Sequence, residues 1–331
     1  MKCLSIDFGG SSVKYGLVDD SAVILESGKL PAPTASKEQF LDTVSTLYER
    51  YKDIIDGISI SLPGYIDPET GYLSGSGAYQ ALYGCSTAEL IQEKCGKRVV
   101  VENDGKCGAL AEVWQGALKD CQDGVVLIMG SAIAGGIVKN KKIHSGKGFT
   151  AGEFSFFITD PTPGCCDYRS MAMMNCCTVG ITYKLCKLKN LDLAVQDFSD
   201  LLYYFDSMYA GEYPQAEGEP LKIKATGAQF IRWVEEEDPI SLKIYREFIH
   251  SLARMIFNIQ VLYAPEKVVI GGGLSRSDRI LKDLREELAH IYKAGNIQQQ
   301  LHTNIERSVY LEECNLVGAA YNYINRSSHA F

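Results

Sequence analysis

A two-lobed α/β fold is predicted by three observations. Short apolar segments alternate with helical ones along the chain. Two strand–turn–strand units with glycine-rich tips occur, one at the start and one beginning at Val125. With 331 residues, 46% of them hydrophobic, the chain is long enough for two cores rather than one.

The elements follow in order. Cys3-Leu4-Ser5-Ile6 is apolar and β-prone, Asp7-Phe8-Gly9-Gly10-Ser11-Ser12 reads as a turn, and Val13-Lys14-Tyr15-Gly16-Leu17-Val18 alternates like a half-buried strand. Residues 38–55 carry helical spacing through Phe40, Val44, Leu47, Tyr51 and Ile55. Gly57-Ile58-Ser59-Ile60-Ser61 is a strand stopped by Pro63-Gly64. Arg98-Val99-Val100-Val101 is another, ending in Glu102-Asn103-Asp104, and a helix then runs to Gly116.

The second hairpin pairs Val126-Leu127-Ile128-Met129 with Ile137-Val138 across the glycine-spaced stretch 130–136. The likeness of the two hairpins suggests a duplicated core. Residues 158–174 are irregular and rich in Pro, Gly and Cys, and 191–219 is polar and aromatic without a readable period. Pro239 opens a long amphipathic helix whose buried face is Ile244, Phe248, Leu252, Met255, Ile259 and Leu262. Val268-Val269-Ile270 is a short strand followed at once by Gly271-Gly272-Gly273-Leu274, and a helix over 316–324 closes the chain. The glycine turns all follow strands, at the ends where α/β sheets hold ligands.

Composition excludes several classes. A net charge of -8 argues against a nucleic-acid surface. The longest weakly polar run, 125–138, is too short to cross a membrane, and the first residues lack a signal-peptide pattern, so a cytoplasmic protein is expected. The 11 cysteines are an odd number without CxxC spacing; the adjacent pairs Cys165-Cys166 and Cys176-Cys177 read as free thiols rather than disulfides or a zinc site.

What remains fits phosphoryl transfer, which needs backbone donors around phosphates, a metal and an acceptor-activating base. Gly9-Gly10-Ser11-Ser12 and 130–136, with Ser131, are phosphate-loop candidates, because glycine lets N–H groups approach phosphate oxygens. Either loop alone fits a plain hairpin equally well. Asp7 at a strand end fits a magnesium ligand, directly or through water, and Lys14 fits a phosphate counter-charge. Asp104, between strand and helix, fits a general base or a helix N-cap, and spacing does not separate the two. Asn103 fits a sugar contact or a cap. Glu153, in Ala151-Gly152-Glu153-Phe154, fits a surface residue or a carboxylate that accepts two hydroxyl donors.

Taken in order, these pieces resemble the ROK family of sugar kinases, of the actin-like, ribonuclease H-like fold. Asp7-Phe8-Gly9-Gly10-Ser11-Ser12-Val13-Lys14 resembles its first phosphate motif and 130–136 its second. Glu102-Asn103-Asp104 resembles the catalytic motif, Ala151-Gly152-Glu153-Phe154 the sugar segment, and Val269-Ile270-Gly271-Gly272-Gly273-Leu274 the adenosine-side motif. Within the family, Ser61-Leu62-Pro63-Gly64-Tyr65-Ile66-Asp67-Pro68 and Leu110-Ala111-Glu112-Val113-Trp114-Gln115-Gly116 are similar to bacterial beta-glucoside kinases.

The resemblance implies a small lobe over 1–115 completed by a helix over 314–331, a large lobe over 116–313, and an active site in the cleft between them. It implies ATP with Mg²⁺, held by Asp7, Gly9, Gly10, Ser11, Ser12, Lys14, Gly130, Ser131, Gly135, Gly136, Gly271, Gly272, Gly273 and Leu274. It implies a sugar held by Gly64, Asn103, Asp104 and Glu153, with Asp104 as the base that activates the 6-hydroxyl of a β-glucoside such as cellobiose. A homodimer is also implied. Glucokinase, N-acetylmannosamine kinase and a weakly catalytic sugar sensor are the alternatives. A DNA-binding regulator would need a helix-turn-helix ahead of Asp7, where there is no room for one.

Three departures stand out. The family's zinc motif is missing, which implies no zinc site. The histidine that follows the sugar glutamate is replaced around Ser155-Phe156. Ala132 and Ala134 occupy glycine positions of the second phosphate loop. If either alanine has positive φ, strain should weaken the ATP site, and restoring glycine should raise kcat/KM for ATP.

Overall fold

The computed structural model describes residues 1–10, 12–75, 77–160, 167–192, 221–311 and 313–328. Ser11, the Cys165-Cys166 pair and nearly all of the 191–219 segment lie outside them. The chain divides into two compact units. The first is Met1–Val126, Gly135–Gly152 and Glu312–Phe331; the second is Leu127–Ala134 and Glu153–Leu311.

In the first unit, β1 (Lys2–Phe8), β2 (Ser12–Asp19), β3 (Ile24–Pro31), β4 (Gly57–Leu62) and β7 (Val99–Asn103) form one sheet in the order β3-β2-β1-β4-β7. The first three strands run as an antiparallel meander, and β1, β4 and β7 pair in parallel. Alternation along β1 explains its two faces. Leu4, Ile6 and Phe8 enter the core built with α1 (Lys37–Tyr51), whose Phe40, Val44, Leu47 and Tyr51 point inward. Ser36 caps α1 by accepting from the Gln39 N–H at 3.2 Å. The helix stops at Tyr51, short of the expected 55, but Ile55 still reaches the same core.

The opposite face carries buried serines, which need partners. Ser5 Oγ donates to the Leu316 carbonyl at 2.6 Å, and Ser59 Oγ donates to the Ala319 carbonyl. Both carbonyls belong to the last helix, Cys314–Ser328. A Cβ at Gly318 would lie 1.6 Å from the Cys107 carbonyl oxygen, so glycine is what lets that helix cross α3 (Asp104–Gln115) so closely. Between β4 and β7 come a small hairpin of β5 (Tyr65–Ile66) and β6 (Leu73–Gly75), and helix α2 (Thr87–Cys95).

The second five-stranded sheet joins β8 (Gly124–Met129), β9 (Ile133–Lys139), β10 (Lys142–Ile143), β13 (Lys267–Gly271) and β14 (Ile305–Arg307) in the order β10-β9-β8-β13-β14. Third, second, first, fourth, fifth: this is the order of the first sheet, so the duplication suggested by the two glycine-tipped hairpins is real at the level of topology. The chain crosses from one unit to the other within β8 and β9.

In the second unit lie α4 (Ala172–Asn175), α5 (Thr178–Lys189), the paired strands β11 (Leu191–Asp192) and β12 (Leu221–Lys224), α6 (Gly227–Glu235), α7 (Pro239–Tyr263) and α8 (Asp278–Ala294). Helix α7 begins where expected, with Asp238 accepting the Ser241 N–H at 2.8 Å and Pro239 in its first turn. Its Ile244, Phe248, Leu252, Met255 and Ile259 are buried, whereas Leu262 is 81% exposed and leaves the predicted stripe. The last helix, hereafter α9, spans the predicted 316–324. Among the described residues no helix is long and apolar enough to cross a membrane.

Candidate active site

The parallel register of the first unit sets the geometry. Asp7 lies opposite Ser61, and Ser61 lies opposite Glu102, so the carboxyl ends of β1 and β7 bring Asp7 and the 102–104 segment to the two sides of β4. Asp7 is buried. Its Oδ1 accepts Ser61 Oγ at 2.7 Å and Asn315 Nδ2 at 3.1 Å. Burial raises its pKa against the pull of these two donors and of Lys14, its register partner on β2.

Asp104 is the first residue of α3, and the competing role of N-cap goes to its neighbour. Asn103 Oδ1 accepts the Lys106 N–H at 3.1 Å, while its Nδ2 donates to the Gly64 carbonyl at 3.1 Å. Asn103 is therefore held at both ends by the chain. Asp104 is half-buried, with Oδ1 accepting the Gly105 N–H at 2.8 Å. Burial foremost, then the charge of Asp7, push its pKa up to about 6. A carboxylate so placed is ionised at neutral pH, yet basic enough to take a hydroxyl proton.

Gly64 has φ +124°, and a Cβ there would lie 1.8 Å from the Gly75 carbonyl oxygen. Only glycine turns this corner and presents its carbonyl to Asn103.

The first phosphate turn closes on itself, the Gly9 N–H donating to the Ser12 carbonyl at 3.0 Å. Tyr79 holds it from below, its hydroxyl donating to the Gly9 carbonyl at 2.8 Å while its ring packs edge-on against Phe8 and Phe40. Tyr79, Asn315 and the hydroxyl of Ser61 escaped the sequence reading, since nothing local marks them. The second turn is shorter than expected. It is Gly130-Ser131-Ala132 alone, and its Gly130 N–H is taken by the Ala132 carbonyl at 3.0 Å and the Ile128 carbonyl at 3.1 Å. Among the described residues no acceptor takes the N–H of Gly10 or of Ser131.

Ala134, Gly135 and Gly136 lie within β9 rather than in the loop assigned to them. Gly135 and Gly136 have another task. A Cβ at Gly105 would lie 2.4 Å from the Gly135 nitrogen, and one at Gly136 would lie 2.7 Å from the Ala109 Cβ. These glycines let α3, which carries Asp104, lie against β9. The strain expected at the two alanines is absent as well, because neither Ala132 nor Ala134 has positive φ.

In the second unit, Gly272 has φ +85°, and a Cβ there would meet the Met129 carbonyl oxygen at 2.3 Å. Gly273 has nothing within 4 Å on that side, an open face beside the end of β13. Gly271 and Leu274 are buried. Glu153 is half-buried and precedes a short turn of helix over Phe154–Phe156. Ser155, near where the family has its histidine, accepts the Ile133 N–H at 3.2 Å and donates to the Ile133 carbonyl at 3.0 Å. Cys176 and Cys177 are buried, and burial pushes both thiols up, Cys177 to about 11. Among the described residues no group of three or more His, Cys, Asp or Glu gathers as a metal site would.

Comparison with known proteins gives the family. A model described as the ROK family matches residues 3–325. A beta-glucoside kinase of Klebsiella pneumoniae is 27% identical over 323 residues, covering 98% of this chain and 96% of its own. One from Listeria innocua is 26% identical over 328 residues, covering 99% of both chains. The crystal structure of a ROK family glucokinase from Streptomyces griseus, in complex with glucose and AMPPNP, superposes with a TM-score of 0.74 at 19% identity, covering 97% of this chain and 98% of that one.

Proposed function

The chain belongs to the ROK family, and we propose that, as an ATP-dependent sugar kinase, it transfers the γ-phosphoryl group to the 6-hydroxyl of a β-glucoside such as cellobiose. The observation that carries the reading is Asp104. It stands at the start of α3, relieved of capping by Asn103 and lifted to a pKa of about 6. Ionised, it accepts the proton of the sugar hydroxyl as that oxygen attacks the γ-phosphorus, and the Gly105 N–H keeps the carboxylate aimed.

Asp7 fits the magnesium role. Only Oδ1 is engaged by Ser61 and Asn315, and burial of a carboxylate beside a second one favours a compensating cation. Magnesium held there would supply charge neutralisation to the transferring phosphate. In the first unit Lys14, across from Asp7, adds positive charge, Gly9, Gly10 and Ser12 offer phosphate contacts, and Gly64 a sugar contact. In the second unit Gly130 and Ser131 offer phosphate contacts, Gly273 leaves an open face for the nucleoside, and Glu153 offers a sugar contact. Gly135 and Gly136 also serve by admitting α3. The sensor alternative loses its motive with the unstrained Ala132 and Ala134. A homodimer in the cytoplasm remains part of the proposal.

The choice of sugar rests on the beta-glucoside kinase relatives and is tested by a coupled ADP-release assay across cellobiose, an aryl β-glucoside, glucose and N-acetylmannosamine. Cellobiose or the aryl glucoside is expected to win on kcat/KM. A panel led by N-acetylmannosamine would overturn the β-glucoside assignment, and one led by glucose would make the protein a glucokinase.

A further inference from the structure

The second unit hides a cation that the reaction does not use. Lys184, in the middle of α5, is 4% exposed. Lysine is almost never buried unless paired, because an ammonium removed from water loses more than one neutral hydrogen bond returns. Its Nζ donates to Asn175 Oδ1 at 3.1 Å and lies 3.5 Å from Glu247 Oε2 on α7.

Asn175 passes the constraint on. Its Nδ2 donates to the Arg169 carbonyl at 2.7 Å and to Thr159 Oγ1 at 3.4 Å. The segment that begins at Glu153 is pinned at the same place. The Thr159 and Asp160 N–H groups donate to the Ser170 carbonyl at 2.7 and 3.1 Å, the Ala172 N–H to the Phe157 carbonyl at 2.8 Å, and Arg254 Nη1 to the Thr159 carbonyl at 3.2 Å. The N-terminal end of α5, just after Asn175, grips the second phosphate turn. The Thr178 N–H donates to the Gly130 carbonyl at 3.0 Å and the Val179 N–H to the Ser131 carbonyl at 3.2 Å. One helix thus holds both the segment carrying Glu153 and the turn carrying Ser131.

We infer that Lys184 is a positioning residue for the reaction: through Asn175 and α5, its ammonium keeps the Glu153 segment and the Gly130-Ser131-Ala132 turn in one fixed arrangement. The inference rests on the kinase reading, in which that segment meets the sugar and that turn meets phosphate.

The charged and titratable groups around this ammonium are Glu247 and Arg254 from α7, Cys176 from the bend between α4 and α5, Asp160 from the segment after Glu153, and Arg169 paired with Asp167 at 2.7 Å before α4. Burial outweighs the pull of Glu247, so Lys184 sheds its proton at lower pH than a surface lysine. Rising pH removes the cation, releases Glu247 and loosens both segments at once.

The test compares wild type, Lys184→Met and Glu247→Gln for KM of sugar, KM of ATP and kcat, from neutral to alkaline pH. In Lys184→Met both KM values should rise together by roughly tenfold, with kcat changed much less, and the alkaline fall of kcat/KM expected of wild type should be missing. In Glu247→Gln, which keeps the shape and stands at a partly exposed site, the alkaline fall should move to lower pH. Unchanged KM values in Lys184→Met, or an alkaline fall that stays in place in Glu247→Gln, overturns the inference. If Lys184→Met does not fold, the Glu247→Gln profile decides alone. Sugar affinity by calorimetry makes the same comparison without turnover, so a wild type inactive on every sugar would reject the kinase reading while the effect of Lys184 on affinity is still measured.

Discussion

Lowering pH should switch this enzyme off around pH 6, and the cause should be Asp104. An aspartate ionises ordinarily at 3.8; here burial, and next the charge of Asp7, raise that to about 6. The rise corresponds to about 3 kcal/mol against the ionised form, an upper figure because the residue keeps some exposure. The sign is the reverse of a salt-bridged carboxylate. The folded state holds this proton more tightly than the unfolded chain, so its contribution to stability falls as pH climbs from about 4 to about 6 and is level above.

Activity runs the other way. Only the ionised base accepts the hydroxyl proton, so on the acid side kcat/KM for sugar should reach its plateau by about pH 7 and fall tenfold per unit below pH 6, with about a tenth of the enzyme competent at pH 5; the alkaline fall tied to Lys184 is a separate limb. The assay is initial rate against sugar at saturating MgATP across pH at constant ionic strength. Because the terminal phosphate of a nucleotide also ionises near pH 6, the carboxyl is followed directly by ¹³C NMR of labelled aspartate, assigned by its loss in Asp104→Asn. In Asp7→Asn the Asp104 midpoint should fall toward the ordinary value. A midpoint near 4 in the wild type, or one that ignores Asp7→Asn, would refute the electrostatic argument.

Two backbone predictions follow from the glycine and alanine geometry. Gly64→Ala combines a positive-φ penalty with a clash against the Gly75 carbonyl, so it should cost about 2–4 kcal/mol in chemical denaturation and lower kcat by displacing the carbonyl that holds Asn103; a variant as stable and active as wild type would contradict the corner assigned to it. The double variant Ala132→Gly with Ala134→Gly relieves no strain and adds glycine to a strand, so it should lose up to about 1 kcal/mol of stability with kcat/KM for ATP unchanged within about twofold, and a clear gain in kcat/KM would restore the strain account.

The periodic elements were legible because their patterns are local. The buried face of α1 repeats at helix spacing, Asp238-Pro239 marks the start of α7, the strand before Gly271 is a short apolar run, and the ordered motifs singled out Asp7, Asp104 and Glu153 as candidates. What the sequence concealed depends on contacts between distant segments. Gly135 and Gly136 look like loop glycines until α3 is seen lying on them. Asn103 and Asp104 compete for one cap, and only the three-dimensional path past Gly64 awards it to Asn103. Tyr79 and Asn315 reach the site across long separations, with no motif to announce them. The helix predicted through 55 overshot because Ile55 is buried for reasons of packing, not helical period.

The central claim is that Asp104 is the base of a sugar kinase, and the most direct measurement is turnover and sugar affinity in Asp104→Asn. The amide keeps the size of the carboxylate and can still accept the Gly105 N–H, so fold and sugar dissociation constant should be nearly unchanged. Turnover should drop by about 10²–10⁴-fold, measured by ADP release with the sugar that wild type uses best. Turnover within a few-fold of wild type, with sugar still bound, would show that another group takes the proton and would contradict the account.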